Sequence, residues 1–271
     1  MKTLYVSDLD GTLLHSNERM SQYSIDTINS LIQSGVLFSY ATARSIYSSS
    51  VVTESLKLET PVVIHNGVFI INPKTRDIIV RNVFNRDETM IVADFLNRNN
   101  IYPLVYSFVD GIERVSWLSG IENDGIQFYL NRRKGDRRLR ETFDPESLYS
   151  GEVFYLTCIG GETKLKLVYD YFCNKSAYNV ILQKELYHPE YWCEFMPKKA
   201  TKANGIVQVK ESLGCDRVVS FGDGLNDIPM FEISDECYAV ANAAPELKEK
   251  ATGIIDTNEN DGVAKWLQML M

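Results

Sequence analysis

Two apolar, strand-like runs, one near each end of the chain, finish on acidic residues. Residues 3–6 lead into Ser7-Asp8-Leu9-Asp10-Gly11-Thr12, and residues 218–221 into Gly222-Asp223-Gly224-Leu225-Asn226-Asp227. If both runs are strands of one parallel sheet, both acidic segments stand at its carboxyl edge, where open α/β sheets bind ligands. Glycine at positions 11, 222 and 224 permits the tight turns that would bring these side chains to one place. Taken singly, each segment reads equally as a solvated loop or a helix start with Asp223 or Asn226 capping orphan amides. Their joint placement after two predicted strands points to a shared site.

The surrounding periodicity supports a parallel sheet. Residues 23–33 place Ile25, Ile28, Leu31 and Ile32 on one helical face, with Gly35 as a stop. A strand at 36–41, a helix at 45–56 and a strand at 61–65 follow, closing at Asn66-Gly67. Strand–helix–strand order with short links implies right-handed parallel crossovers. Residues 68–71 and 78–81 read as a hairpin around Asn72-Pro73. The C-terminal part returns to the same alternation: helix 203–213, strand 217–221, helix 226–233, strand 237–240, then helices 245–251 and 263–270.

The middle of the chain reads differently. A helix at 87–97 precedes strands at 102–108 and 112–118 around Asp110-Gly111, and a strand, a helix and a strand follow at 153–159, 162–172 and 179–183. That order suits an α+β unit with an antiparallel sheet. The fold class expected is therefore α/β, a Rossmann-like parallel-sheet core at 1–83 and 189–271, interrupted by an inserted α+β domain at 84–188.

Bulk properties narrow the function classes. The net charge of −8 argues against a general nucleic-acid binder, which shows a basic footprint. The five cysteines have no zinc-ligand spacing and read as reduced thiols. The N-terminus shows no signal-peptide pattern, and no apolar run approaches the roughly 18 residues of a membrane span. A cytoplasmic protein without a membrane partner is expected.

The acidic segments also imply a cation. Clustered carboxylates repel and need a cation or a proton to coexist. Magnesium suits carboxylate oxygens, phosphate and water. Two further segments bring phosphate chemistry. Thr42-Ala43-Arg44-Ser45 follows a strand and opens a helix, where hydroxyls and amides can hold phosphate oxygens. Lys202 stands at another predicted helix start, and its ammonium can neutralise both phosphate and a nucleophilic carboxylate. Alone, Thr42 reads as a helix cap and Lys202 as one of three neighbouring surface lysines.

Together the four segments resemble the haloacid dehalogenase-like phosphatases, and within them the Cof-type branch. Asp8 to Thr12 looks like the first motif of that family, Thr42 to Arg44 the second, Lys202 the third and Gly222 to Asp227 the fourth. The Asn66-Gly67 turn, Val240-Ala241-Asn242-Ala243 and Asp261-Gly262-Val263-Ala264 are similar to the branch as well. The sequence departs from the family pattern at Ala43 and Ala203, where glycine is usual, which touches fine geometry rather than any reacting group.

The resemblance implies roles residue by residue. Asp8 is the nucleophile, Asp10 the general acid and base, and Lys202 a charge-neutralising partner. Thr42, Ala43, Lys202 and Asn226 bind the phosphoryl group. Mg2+ is held by the Asp8 side chain, the Asp10 backbone carbonyl and Asp223, with Asp227 supporting that shell. Arg44, Asn66 and Gly67 are candidate substrate contacts. The inserted domain is, by the same resemblance, a large α/β cap that excludes water and reads the substrate. The implied activity is hydrolysis of a small phosphorylated metabolite, a sugar phosphate or similar, through an aspartyl phosphate. A phosphosugar mutase and a non-catalytic metabolite-binding regulator are the alternatives.

Other features stay open at this level. The basic stretch from Arg132 to Arg140 suits a solvated face or contact with an acidic substrate or RNA. Tyr102, Tyr106, Phe108 and Trp117 fit a sheet core better than a pocket. Tyr187, His188, Tyr191 and Trp192 could face substrate or fill the seam between domains. The three histidines form no metal-ligand pattern.

Overall fold

The first apolar run forms β1 (Thr3–Ser7), in a computed structural model that describes residues 1–184 and 189–270. Helix α1 (Gln22–Gln33) starts where the Ser21 hydroxyl accepts a bond from the Ser24 amide, and it buries Ile28 and Leu31. Strand β2 (Leu37–Tyr40) pairs in parallel with β1, and α2 (Ile46–Val52) begins at the Ser45 cap. Next come β3 (Val62–Ile64), β4 (Phe69–Ile71) and β5 (Ile78–Arg81).

These last three strands correct one expectation. The strand near 61–65 does not extend the parallel sheet as a full member. It pairs antiparallel with β4 in a separate three-stranded sheet, and an isolated bridge between Ala41 and Val63 is what links it in parallel to the end of β2. The cause is the turn after β3, where His65, Asn66 and Gly67 all have left-handed φ values of 48°, 53° and 96°. That turn folds β4 back along β3.

The inserted part, residues 82–199, is a compact unit of its own. It comprises α3 (Arg86–Arg98), β6 (Leu104–Val109), β7 (Ile112–Leu118), α4 (Asp124–Arg132), β8 (Leu139–Thr142), α5 (Pro145–Leu148), β9 (Glu152–Gly160), α6 (Glu162–Phe172), β10 (Tyr178–Lys184) and β11 (Tyr191–Pro197). Its sheet runs β10-β11-β9-β6-β7-β8 and is antiparallel except for the parallel pair β7–β8. Val92 and Leu96 of α3 and Leu165, Val168 and Phe172 of α6 pack with Leu156, Cys158, Cys193 and Phe195 of the sheet into one apolar core. An Asn85–Glu88 capping box begins α3.

The remaining chain is α7 (Lys202–Leu213), β12 (Arg217–Gly222), α8 (Ile228–Glu232), β13 (Glu236–Val240), α9 (Pro245–Lys248), β14 (Gly253–Ile255) and α10 (Gly262–Gln268). With residues 1–81 it makes the second compact unit, residues 1–81 and 200–271. Its sheet is parallel throughout, in the order β14-β13-β12-β1-β2. Central strands covered on both faces need near-continuous apolar runs, and Leu4, Val6, Val218, Val219 and Phe221 are fully or almost fully buried. The second crossover, expected at 188/189, lies at 199/200. The reason is β11, whose residues 191–197 hydrogen-bond to β9 and β10 of the inserted sheet.

Candidate active site

Strands β1 and β12 are direct neighbours, with Ser7 opposite Phe221. Parallel partners lie about 4.8 Å apart, so the residues that follow them emerge side by side. The Asp8 amide donates to the Phe221 carbonyl at 2.9 Å and prolongs the pairing by one residue. Asp8 and Asp223 thereby reach the same spot from two strands. Thr12 ties Asp223 to the loop that follows Asp8, its hydroxyl donating to Asp223 Oδ1 at 2.9 Å. Gly11 has φ +75°, and a Cβ there would run into the Asp223 carboxylate. The close approach therefore requires glycine.

Lys202 enters from the first position of α7. Its ammonium donates to Asp8 Oδ1 at 2.6 Å and to Asp227 Oδ1 at 2.7 Å. All three side chains are buried. The other oxygen of Asp227 accepts from the amides of Asp223 and Gly224, both at 3.0 Å. Asp227 thus fixes the turn that presents Asp223 and orients Lys202, and both of its oxygens are engaged.

The electrostatics of this cluster call for positive charge. Burial pushes the Asp8 carboxyl well above the usual range; Lys202 opposes the shift, while Asp227, Asp223 and Asp10 add to it. Burial and the Asp227 charge push Asp223 up to about 6. Burial disfavours the charged form of Lys202, but Asp227 and Asp8 outweigh it and hold the ammonium protonated more firmly than usual. Carboxylate oxygens of Asp8, Asp223 and Asp227 lie within 4.8 Å of one another. Three carboxylates against one ammonium leave a net negative pocket of hard oxygen donors, a chemistry that fits magnesium.

A second group flanks the first. Both oxygens of Asp10 accept from Arg44, Oδ2 from Nε at 2.8 Å and Oδ1 from Nη2 at 2.5 Å. The same Nη2 donates to Glu18 Oε2 at 2.8 Å. Burial opposes the Arg44 charge, but Asp10 and Glu18 outweigh it and raise its pKa. Thr42 is buried beside Arg44, and its hydroxyl accepts from the Arg44 amide at 3.1 Å, which leaves its proton free to point at an anion. Ala43 stands exposed between them.

The turn after β3 backs this group. The Asn66 amide donates to the Thr42 carbonyl at 2.9 Å and the His65 amide to the Arg44 carbonyl at 3.0 Å. At Gly67 a Cβ would collide with the Thr201 backbone, next to Lys202. Asn66 and Gly67, the candidate substrate contacts, are both buried at this turn. Asn226 is partly exposed on the short turn Leu225–Asp227, beside Gly224.

Residues 5–267 match the family model described as haloacid dehalogenase-like hydrolase. The chain belongs to that family. Among curated relatives, the Bacillus subtilis enzyme 5-amino-6-(5-phospho-D-ribitylamino)uracil phosphatase YitU is 26% identical over 274 residues, covering 98% of this chain and 96% of the relative. A second Bacillus subtilis enzyme of the same name, YwtE, is also 26% identical, over 97% of this chain and 96% of its own. Among solved structures, a haloacid dehalogenase-like hydrolase from Bacteroides thetaiotaomicron superposes with a TM-score of 0.81 at 24% identity over the whole of both chains. The HAD subclass IIB sugar phosphatase BT4131 does so with 0.77 at 19% identity, over 100% of this chain and 99% of that one. At these identities the structures establish the shared fold.

Some residues around this cluster escape sequence reading. Glu18 lies in no motif, and its contact with Arg44 reveals it. Asn242 Nδ2 donates to the Gly11 carbonyl at 2.8 Å and Asn258 Nδ2 to the Leu14 carbonyl at 2.9 Å, so both hold the loop that follows Asp8. The similarity of 240–243 to the Cof-type branch hints at Asn242; Asn258 had no signal beyond its polarity.

The other sequence candidates find structural partners. His15 faces Asp261 at 3.1 Å. Tyr106 is buried with its hydroxyl 2.9 Å from that of Tyr129. In the basic stretch, Arg138 pairs with Asp136 and Glu113, Arg133 lies 3.7 Å from the Tyr129 ring centre, and Arg140 donates to Ser116 and the Ser147 carbonyl. Tyr191 and Trp192 belong to β11. Tyr187 and His188 lie outside the described residues.

Proposed function

We propose that this hydrolase is a magnesium-dependent phosphatase that cleaves a small phosphorylated metabolite, a sugar phosphate or similar, through an aspartyl phosphate on Asp8. The observation that carries the reading is the buried Asp8 carboxylate, held by Lys202 at 2.6 Å with Asp223 alongside. Such a carboxylate is oriented, desolvated and charge-compensated, as a nucleophile toward phosphorus requires.

Magnesium would be held by the Asp8 side chain, the Asp10 backbone carbonyl and Asp223, and when bound it supplies charge neutralisation for the phosphoryl oxygens. Asp227 keeps Asp223 and Lys202 in place. Lys202, the Thr42 hydroxyl, the Ala43 amide and Asn226 receive the phosphoryl oxygens. Asp8 then attacks phosphorus, and the bond to the leaving oxygen breaks with its electron pair on that oxygen. Asp10 delivers a proton there. In the second half, Asp10 takes a proton from water as the water oxygen attacks phosphorus, and the P–O bond to Asp8 breaks to release phosphate.

The substrate class is supported by the relatives' names, since YitU and YwtE are phosphatases of a phosphoribitylamino-uracil and BT4131 is a sugar phosphatase. A cytoplasmic setting is supported by five free cysteines. No helix among the described residues is long and apolar enough to cross a membrane. The test is phosphate release from a panel of sugar, polyol and nucleotide phosphates, including the phosphoribitylamino-uracil, with magnesium or EDTA. Release by the wild type with magnesium, absent with EDTA and absent in Asp8→Asn, is expected. Equal release by Asp8→Asn would sink the covalent assignment.

A further inference from the structure

Arg44 carries an unusual load. Its Nε and Nη2 grip both oxygens of Asp10, and Nη2 also donates to Glu18 Oε2 at 2.8 Å. The Arg44 side chain is 15% exposed, whereas the Asp10 and Glu18 side chains are 51% and 48% exposed. A single largely buried cation therefore joins two carboxylates that each stand half in water.

Glu18 is delivered to this position by a pinned turn. The His15 amide donates to the Arg19 carbonyl and the Glu18 amide to the His15 carbonyl, both at 2.9 Å. The turn is tied down from outside as well: His15 Nε2 meets Asp261 Oδ1 at 3.1 Å, and the Ser16 amide donates to Glu259 Oε1 at 2.6 Å. Within it Glu18 has φ +60°, a conformation that glycine or asparagine adopts more easily. A glutamate kept in a left-handed turn, with its carboxylate on a charged partner, is an outlier that local backbone preference does not account for.

We infer that Glu18 is a positioning residue for Asp10, acting through Arg44. An arginine stem is long and flexible, and a bidentate grip orients a carboxylate only if the guanidinium plane is itself fixed. Glu18 supplies the second point that fixes it. The inference rests on the phosphatase reading, in which Asp10 releases one of its two Arg44 contacts, carries a proton on the oxygen so freed and hands it to the leaving oxygen, while the remaining contact keeps its plane. It also assigns Arg44 inward, to Asp10, rather than to the substrate.

The leaving group provides the test. Phenyl phosphate and p-nitrophenyl phosphate share a ring and a phosphate, but phenolate needs a proton on departure far more than nitrophenolate does. The ratio of their kcat/KM values cancels any uniform loss of binding or folded protein and reports proton delivery. The measurement compares wild type, Glu18→Gln, Arg44→Gln and Asp10→Asn with magnesium. Asp10→Asn is expected to depress phenyl phosphate selectively. Glu18→Gln and Arg44→Gln should shift the ratio in the same direction, Glu18→Gln by about 5-fold, since small misplacements of a proton donor are costly.

An unchanged ratio in Glu18→Gln, beside a shifted one in Asp10→Asn, overturns the inference and leaves the phosphatase reading standing. KM rising equally for both compounds in Arg44→Gln, with the ratio unchanged, makes Arg44 a substrate contact and also overturns it. An unchanged ratio in Asp10→Asn removes Asp10 as the acid, and the role of Glu18 with it. Hydrolysis by the wild type of neither compound, nor of any phosphate in the metabolite panel, overturns the phosphatase reading and the inference together.

Discussion

Lys202 lies 2.6 Å from Asp8 at the first position of α7, with only 1% of its side chain exposed. A helix N-terminus repels a cation, and burial disfavours one further. Asp8 and Asp227 hold it there. Removing one partner of a buried pair costs about 3–5 kcal/mol, because the other charge is left uncompensated. Lys202→Met is therefore expected to be inactive and to lose about 3 kcal/mol in urea unfolding with EDTA, with part of that recovered by magnesium. A variant as stable as the wild type in EDTA would show that Asp8 and Asp227 are not compensated by Lys202.

Magnesium should stabilise the fold independently of turnover. A ligand that binds only the native state adds about 2.7 kcal/mol at 100-fold excess over its Kd. Magnesium is expected to raise the melting temperature of the wild type and to leave Asp223→Asn nearly unchanged. The effect should depend on pH. Asp223 is raised from its ordinary 3.8 to about 6 by burial and by Asp227. In the metal-free protein a carboxyl raised on folding favours the native state below its unfolded pKa, and that contribution is lost as pH rises through 6. Protons and magnesium compete for it, so the magnesium-induced shift should shrink as pH falls through about 6. A shift equal in Asp223→Asn and wild type would remove Asp223 from the metal site.

How much of this was legible in the sequence follows from where the information is local. Strands β1 and β12, the helices α1, α3, α6 and α7 and the hairpin β4–β5 announced themselves by periodicity and by stops and turns such as Gly35 and Asn72-Pro73, whereas the caps at Ser21 and Asn85 emerge only in the structure. The acidic strand ends were legible for the same reason, since glycine next to aspartate after an apolar run is a local pattern. Helix α4 and strand β11 were not legible. Tyr191–Pro197 is a strand because β9 and β10 pair with it on both sides, and such long-range pairing leaves little trace in one segment. Likewise Glu18 and Asn258 act on residues 26 and 244 positions away, through contacts that only the folded chain creates.

The turn behind Thr42 offers a controlled comparison. Gly67 has φ +96° and no room for a Cβ against the Thr201 backbone, whereas Gly35 has φ +95° and open space. Gly35→Ala should cost about 1 kcal/mol from the left-handed backbone alone. Gly67→Ala should cost about 2 kcal/mol or more, since the backbone itself must shift. Because Thr201 caps α7 and precedes Lys202, activity should fall in Gly67→Ala and not in Gly35→Ala. Equal stability losses in urea unfolding would mean that the collision at Thr201 relaxes freely.

Asp261 ties the start of α1 to the start of α10. Its Oδ1 accepts from the Ser21 hydroxyl at 2.6 Å and the Ser24 hydroxyl at 2.8 Å, and faces His15 Nε2 at 3.1 Å. Burial pushes its pKa up, but these donors outweigh burial and hold it below its ordinary 3.8. A carboxyl lowered on folding contributes stability that is fully present above its unfolded pKa and is lost as pH falls through the folded value. Hydrogen bonds to a charged acceptor are worth about 1.5–3 kcal/mol each way they are measured, so Asp261→Asn should cost about 2 kcal/mol at pH 7. The gap between variant and wild type should narrow as pH drops below about 4, where the carboxyl of the unfolded wild type begins to protonate ahead of the folded one. Urea unfolding of both proteins at pH 7, 5 and 3 measures it, and a gap constant across that series would mean that the charge of Asp261 adds nothing to the junction.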